Sequence, residues 1–284
     1  MQRTVLAKIK KNTGRRWLYG LIASLTALGI TIATPKASQA GIFDLILNGI
    51  QYVQLANMSD RQEANLGRQI DSQLKRQGLQ VYSDDSAIDN YIDDIGARLV
   101  PNSDRPNIAY NFQVVKDDSI NAFATMGGQV YLQEGLIEAA DNEAELAGVI
   151  AHEMGHIAGR HSIEQMKQVA IQRGVLGALG ADQELLVNIG VDLALNLPNS
   201  RGDERDADRR GFDTMGRAGY DQRGLRDFMQ KLAQSGSPPE FLSSHPNPAN
   251  RVGYLNEWIS TEATPTATAG MDNTAYQSQV NRLL

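Results

Sequence analysis

The feature that most constrains this chain is the pentapeptide His152-Glu153-Met154-Gly155-His156. In an α-helix two imidazoles four residues apart sit one turn apart on the same face and can reach a single ion. The surrounding segment reads as such a helix on independent grounds. Asp141 can cap it, Glu143 and Glu145 suit its first turn, and Leu146, Val149, Ile150 and Ile157 give it apolar faces as far as about Arg160. Glu153 projects beside the histidines, within reach of a water held between them. The chain has only four histidines, so a chance match is on the order of a few in a thousand, which sets aside the reading of surface histidines on an ordinary helix.

A catalytic metal site of this kind keeps three protein ligands and one open position. There is no cysteine, so thiolate ligands and disulfides are excluded and the third ligand is a histidine or a carboxylate. His161 is the nearest histidine, and Gly159 stands where some metallopeptidases with three histidine ligands have a glycine. In those, however, the third histidine lies six residues beyond the second, a position held here by Ser162. His161 is therefore expected to be structural. Asp203, Glu204, Asp206 and Asp208 crowd one stretch of a later helix, interleaved with Arg201, Arg205, Arg209 and Arg210. A solvated, salt-laced face would look the same, and spacing alone does not choose among the four.

The remainder of the chain frames this region. Of the 27 Lys and Arg residues, seven fall within the first 40 positions, which contain no acid; the other 244 residues carry 20 positive and 33 negative side chains, a net of -13. So acidic a body excludes nucleic acid as a partner. The basic stretch to Arg15-Arg16, the uncharged run Trp17–Thr34 and the small-residue site Ser38-Gln39-Ala40 predict an export signal at 1–40, cleaved after Ala40, with a retained membrane anchor as the other reading. The apolar segment 42–57 predicts a helix on the core, with membrane-surface contact as the other reading.

Helices are expected near 60–77, 86–99, 202–218, 221–234 and 249–259, with a glycine-loosened helical stretch over 162–199. The alternation Ile108, Tyr110, Phe112, Val114 predicts a strand, and Asn121–Ala124 with Val130-Tyr131-Leu132 around Gly127-Gly128 predicts a hairpin. The fold class is α+β, mostly helical, with a small antiparallel sheet and the active-site helix. Residues 41–260 form the predicted domain, and 261–284 a flexible C-terminal tail.

Ser200-Arg201-x-x-Glu204-x-x-Ala207-Asp208 resembles the metallopeptidase family of the HtpX heat-shock proteases, the CAAX prenyl endopeptidases and the Oma-type mitochondrial proteases. Asn121-Ala122-Phe123-Ala124, Gly127-Gly128, Gly135-Leu136, Arg160-His161, His245-Pro246 and Arg251 match the same pattern. The resemblance spans about 59–258 and is nearest to the periplasmic BepA-like and LoiP-like members, without the C-terminal repeats of the former. It implies a gluzincin-type zincin with one zinc on His152, His156 and Glu204, Glu153 as catalytic base, and Asp208 holding a ligand histidine's other nitrogen.

The implied activity is endopeptidase cleavage of unfolded or extended polypeptide in exported or envelope proteins, as quality control outside the cytoplasm. Two other readings are a zinc-bound chaperone or assembly factor with little proteolysis, and a membrane-anchored form of the same protease. Val130-Tyr131-Leu132 is the candidate edge strand for substrate. His245 is a candidate catalytic residue with two physical roles, either donating to an oxyanion or occupying the metal's fourth position as a latch.

Overall fold

Local signals set most element boundaries in the computed structural model, which describes residues 55, 57–83, 86–172, 183–234 and 240–284. Helix α1 (Asp60–Arg76) begins at a capping box between Ser59 and Gln62 and stops ahead of Gly78, whose φ of 106° glycine adopts without strain. Helix α2 (Ala87–Leu99) is capped by Ser86, and Pro101 falls in the 3-10 turn that follows it.

Strands β1 (Asn111–Val115), β2 (Ala122–Thr125) and β3 (Gln129–Gln133) form a sheet of order β1-β3-β2. The β2–β3 hairpin is antiparallel as expected, but β1 pairs with β3 in parallel, so the sheet is mixed. This corrects the antiparallel expectation and the role of Val130, Tyr131 and Leu132. They lie in the central strand, hydrogen-bonded on both sides, and have no free edge to offer a substrate. The outer side of β1 is itself met by the 80–82 segment, with Tyr82 donating its amide to the Val114 carbonyl at 2.9 Å.

The sheet separates two apolar clusters. Val130 and Leu132 turn to one with Phe112, Val114, α2 and the helices that follow, while Tyr131 turns to the other with Phe123 and α1. The period-2 alternation along β3 thus fills both sides, and every β3 residue is buried. After the short α3 (Glu134–Ala139) comes the central helix α4 (Glu143–Ala158), in which every residue from Ala144 to Ile157 is buried. Its cap is Asn142, which accepts from the Glu145 amide at 3.0 Å, and not Asp141.

Helix α5 (His161–Gln172) follows a sharp turn at Gly159-Arg160. Then come α6 (Gln183–Asn196), α7 (Arg201–Ala218), α8 (Arg223–Gln234), the single turn α9 (Phe241–Ser244) and α10 (Pro248–Glu262). Part of the expected flexible tail instead folds as α11 (Asn273–Leu283). Tyr276 and Val280 join the core, and the Tyr276 hydroxyl donates to the Ile137 carbonyl at 2.6 Å. The apolar residues needed for this were present, but they follow a segment rich in Thr, Pro and Gly that masks their spacing.

The expected export signal and most of the 42–57 segment lie outside the described residues, as does the glycine-rich 173–182 stretch. Leu55, at the end of the 42–57 segment, packs into the α1 cluster. Among the described residues no helix is long and apolar enough to cross a membrane.

Candidate metal centre

The centre is built where α4 and α7 cross. Their approach depends on Gly155, inside the pentapeptide: a Cβ there would lie 2.5 Å from the Ala207 carbonyl oxygen. With that space open, Glu204 and Asp208, one turn apart on α7, face His152 and His156, one turn apart on α4. Each of the four acids left open by spacing has its own place. Asp203 completes the capping box with Ser200, Glu204 and Asp208 are buried, and Asp206 meets His161.

His152 Nε2 lies 3.1 Å from His156 Nε2 and 3.6 Å from Glu204, while Glu204 Oε1 lies 3.3 Å from His156 Nε2. His245, from the loop after α9, brings its Nδ1 to 3.2 Å from His152 Nε2 and 3.0 Å from Glu204 Oε1. These four residues offer donor atoms all within 4.8 Å of one another. Donors about 2.0–2.2 Å from a tetrahedral ion are about 3.3–3.6 Å apart, so the cluster has the size such an ion requires. Buried nitrogen and carboxylate lone pairs brought this close repel one another unless a cation lies among them. The donor set therefore fits a metal ion bound by nitrogen and oxygen.

A buried charge network orients these side chains. Asp208 Oδ1 lies 2.9 Å from His152 Nδ1, so that nitrogen carries the proton and Nε2 faces the centre with its lone pair. Arg251 on α10 is 2% exposed and bridges both acids, with Nη1 donating to Glu204 Oε2 at 2.7 Å and Nη2 to Asp208 Oδ1 at 2.6 Å. The Tyr254 hydroxyl also donates to Asp208.

Burial, then the Arg251 charge, pushes His152 down to about 4 despite Asp208. It is neutral at pH 7, the state in which an imidazole can bind a metal. Burial raises the Glu204 carboxyl, but His245 and Arg251 outweigh it and hold the group well below the usual range. Burial also opposes ionisation of Asp208, and again Arg251 and His152 win, leaving it at about 2. For His245 burial favours the neutral ring, and Glu204 and Glu153 more than offset this, so its pKa is raised.

Glu153 is 1% exposed, and its Oε1 has no hydrogen-bond partner; His245 Nε2 stands 3.4 Å away. A buried carboxylate oxygen left open beside a ligand cluster is suited to accept a proton from a molecule that enters there. Phe123, Thr125, Glu153, His156, Leu193 and His245 are among the residues lining a cavity of about 30 Å³, enough for a water and far too small for a peptide.

The pentapeptide residues, Glu204, Asp208 and His245 thus come together, whereas Val130, Tyr131 and Leu132 do not line this cavity. Sequence reasoning noted Arg251 without giving it a role. A fully buried arginine is visible only once its two carboxylate partners are placed. Asn199 was not singled out; its backbone amide donates to the Ser244 carbonyl at 2.9 Å and helps seat the His245 loop.

Comparison with known proteins agrees with this construction. The model of peptidase family M48 matches residues 86–259. A beta-barrel assembly-enhancing protease of Yersinia pestis is 32% identical over 214 residues, covering 69% of this chain and 44% of that protein. The mitochondrial metalloendopeptidase OMA1 of Schizosaccharomyces pombe is 30% identical over 60% of this chain and 52% of its own. The metalloprotease YcaL of Escherichia coli is 27% identical over 83% of this chain and 98% of its own. The chain thus spans less than half the length of the assembly-enhancing protease it matches. The family match runs from α2 into α10 and includes every residue placed in the centre, and the chain belongs to peptidase family M48.

Proposed function

We propose that the chain is a zinc-dependent endopeptidase of the gluzincin type, acting on unfolded or extended polypeptide outside the cytoplasm. One observation carries this reading: the donor atoms of His152, His156 and Glu204 converge beside the buried carboxylate of Glu153, whose Oε1 accepts no hydrogen bond. The donors are imidazole and carboxylate with no thiolate, a set that suits zinc. When bound, zinc supplies Lewis-acid polarisation of a carbonyl and makes water more acidic.

The protein's own groups do the rest. Glu153 takes the proton of the attacking water on Oε1 and returns it to the departing amine. His152 is held in one tautomer by Asp208, and Glu204 is held ionised by Arg251. Strand β2 is the edge of the sheet whose residues Phe123, Ala124 and Thr125 line the cavity with Glu153. It replaces Val130–Leu132 as the strand that pairs with extended substrate. The export pattern of residues 1–40 supports the address, and the names of the assembly-enhancing relatives fit quality control of envelope proteins.

His245 occupies the fourth corner of the donor set, which favours the latch over the oxyanion role for the form described here. Three contacts pin it: the Asn199 amide to the Ser244 carbonyl, the Phe241 amide to the Ile120 carbonyl at 3.1 Å, and the Phe241 ring stacked 4.3 Å from its own. Hydrolysis of unfolded casein tests the reading. It should be lost on chelation and restored by stoichiometric zinc. His245→Ala should raise the rate several-fold with zinc retained. A fall in rate of about 10²–10³ would assign His245 to the oxyanion instead. Casein left intact by the zinc-loaded protein and by His245→Ala alike would refute the peptidase reading.

A further inference from the structure

The two ligand histidines of α4 are supported unequally. His152 has a carboxylate directly on its second nitrogen, whereas His156 turns its Nδ1 to another imidazole, that of His161, at 2.9 Å. The far nitrogen of His161, Nε2, lies 3.1 Å from Asp206 Oδ2. Proton positions along this line follow from two facts, that an ionised carboxylate only accepts and that a neutral imidazole carries a single ring proton. Asp206 therefore takes the proton of His161 Nε2, and the lone pair of His161 Nδ1 takes the proton of His156 Nδ1. The lone pair of His156 Nε2 is then left for the centre.

The backbone is shaped around this contact. A helix continued past Ala158 would carry His161 away from His156. Instead Gly159 closes α4, and Arg160 takes a left-handed φ of 57°, one of two non-glycine residues to do so among those described. Such a conformation is unfavourable for a residue with a Cβ and persists only where neighbours impose it. Here Arg160 is anchored by the Met58 carbonyl and by buried Glu63, at 3.3 Å. The turn makes His161 the first residue of α5 and swings its ring back over the end of α4. Gly159 is needed for clearance, since a Cβ there would lie 2.3 Å from His161 Nε2 and 2.8 Å from Asp206 Oδ2.

We propose that His161 is a positioning residue for the metal centre, accepting from His156 Nδ1 and itself fixed by Asp206, so that the α4–α5 turn orients the second ligand histidine. The inference rests on the metal reading above, and its test separates the two. Zn2+ affinity is measured by chelator competition on the purified protein, with the visible spectrum of the Co2+-substituted form as a second readout.

His161→Leu fills the space without an acceptor and should weaken Zn2+ binding about 10–100-fold, as loss of an outer partner does. It should also shift the Co2+ bands. His161→Asn keeps an acceptor near the Nδ1 position and should recover most of the affinity. Asp206→Ala, at a side chain 43% exposed, leaves the packing intact and should weaken binding a few-fold, with little further effect when combined with His161→Leu.

Affinity within twofold of wild type for His161→Leu, or no recovery in His161→Asn, would overturn the proposal and leave His161 a packing residue. Wild-type protein that binds no Zn2+ would instead refute the metal reading itself.

Discussion

Glu153→Gln should retain the metal and lose about 10²–10⁴ of turnover on an unfolded protein substrate, the range set by removing a positioned general base. The amide has nearly the shape of the carboxylate but cannot take a proton at Oε1 or hand one to the leaving amine. The position is buried, and Oε1 has no hydrogen-bond partner that the substitution would break, so folding should be little changed. Initial rates at saturating substrate, beside metal content and a melting curve, separate chemistry from binding and stability. Near-wild-type turnover with metal bound would remove Glu153 from the mechanism.

The second large effect is expected at Arg251. Its guanidinium bridges Glu204 and Asp208 in a region that excludes water, and all three side chains are at most 2% exposed. Arg251→Ala should destabilise the metal-free protein by about 3–5 kcal/mol, the usual consequence of leaving buried charge without its partner. Arg251→Lys should recover only part, because an ammonium cannot bridge two carboxylates with a planar fork.

The pH dependence gives an independent sign. Asp208 is lowered from 3.8 to about 2 in the folded chain, burial being outweighed by Arg251 and His152. A depressed carboxylate contributes stability above its unfolded pKa and loses it as pH falls through the folded value. That contribution, about 2 kcal/mol, should disappear between pH 4 and 2 in the wild type. It should be much reduced in Arg251→Ala. Urea unfolding at pH 7 and at pH 3 measures both effects, and equal stability of the two proteins at pH 7 would contradict the network's role.

How far the sequence reached depended on the range of each interaction. The α4 pentapeptide was legible because its chemistry lies within one helical turn, whereas the cap of that helix fell to Asn142, one residue past the expected Asp141. The mixed sheet was not, because the parallel pairing of β1 with β3 joins segments that no local alternation relates. The cue that β3 is central was its unbroken Val-Tyr-Leu run, apolar on both faces. Glu204 could be picked from four neighbouring acids only through a family resemblance. In space the choice follows from burial, since the helix face that meets α4 carries Glu204 and Asp208. Gly159 stood where a three-histidine motif has its glycine, but the spacing to His161 ruled that motif out. Its reason is the ring of His161 passing above it.

Zinc content of the purified chain tests the central claim most directly. Elemental analysis should find about one zinc per chain in the wild type and in Glu153→Gln, and a small fraction of that in His156→Ala and Glu204→Ala. Full zinc in Glu204→Ala, or no zinc in the wild type after reconstitution, would contradict the ligand set on which this account rests.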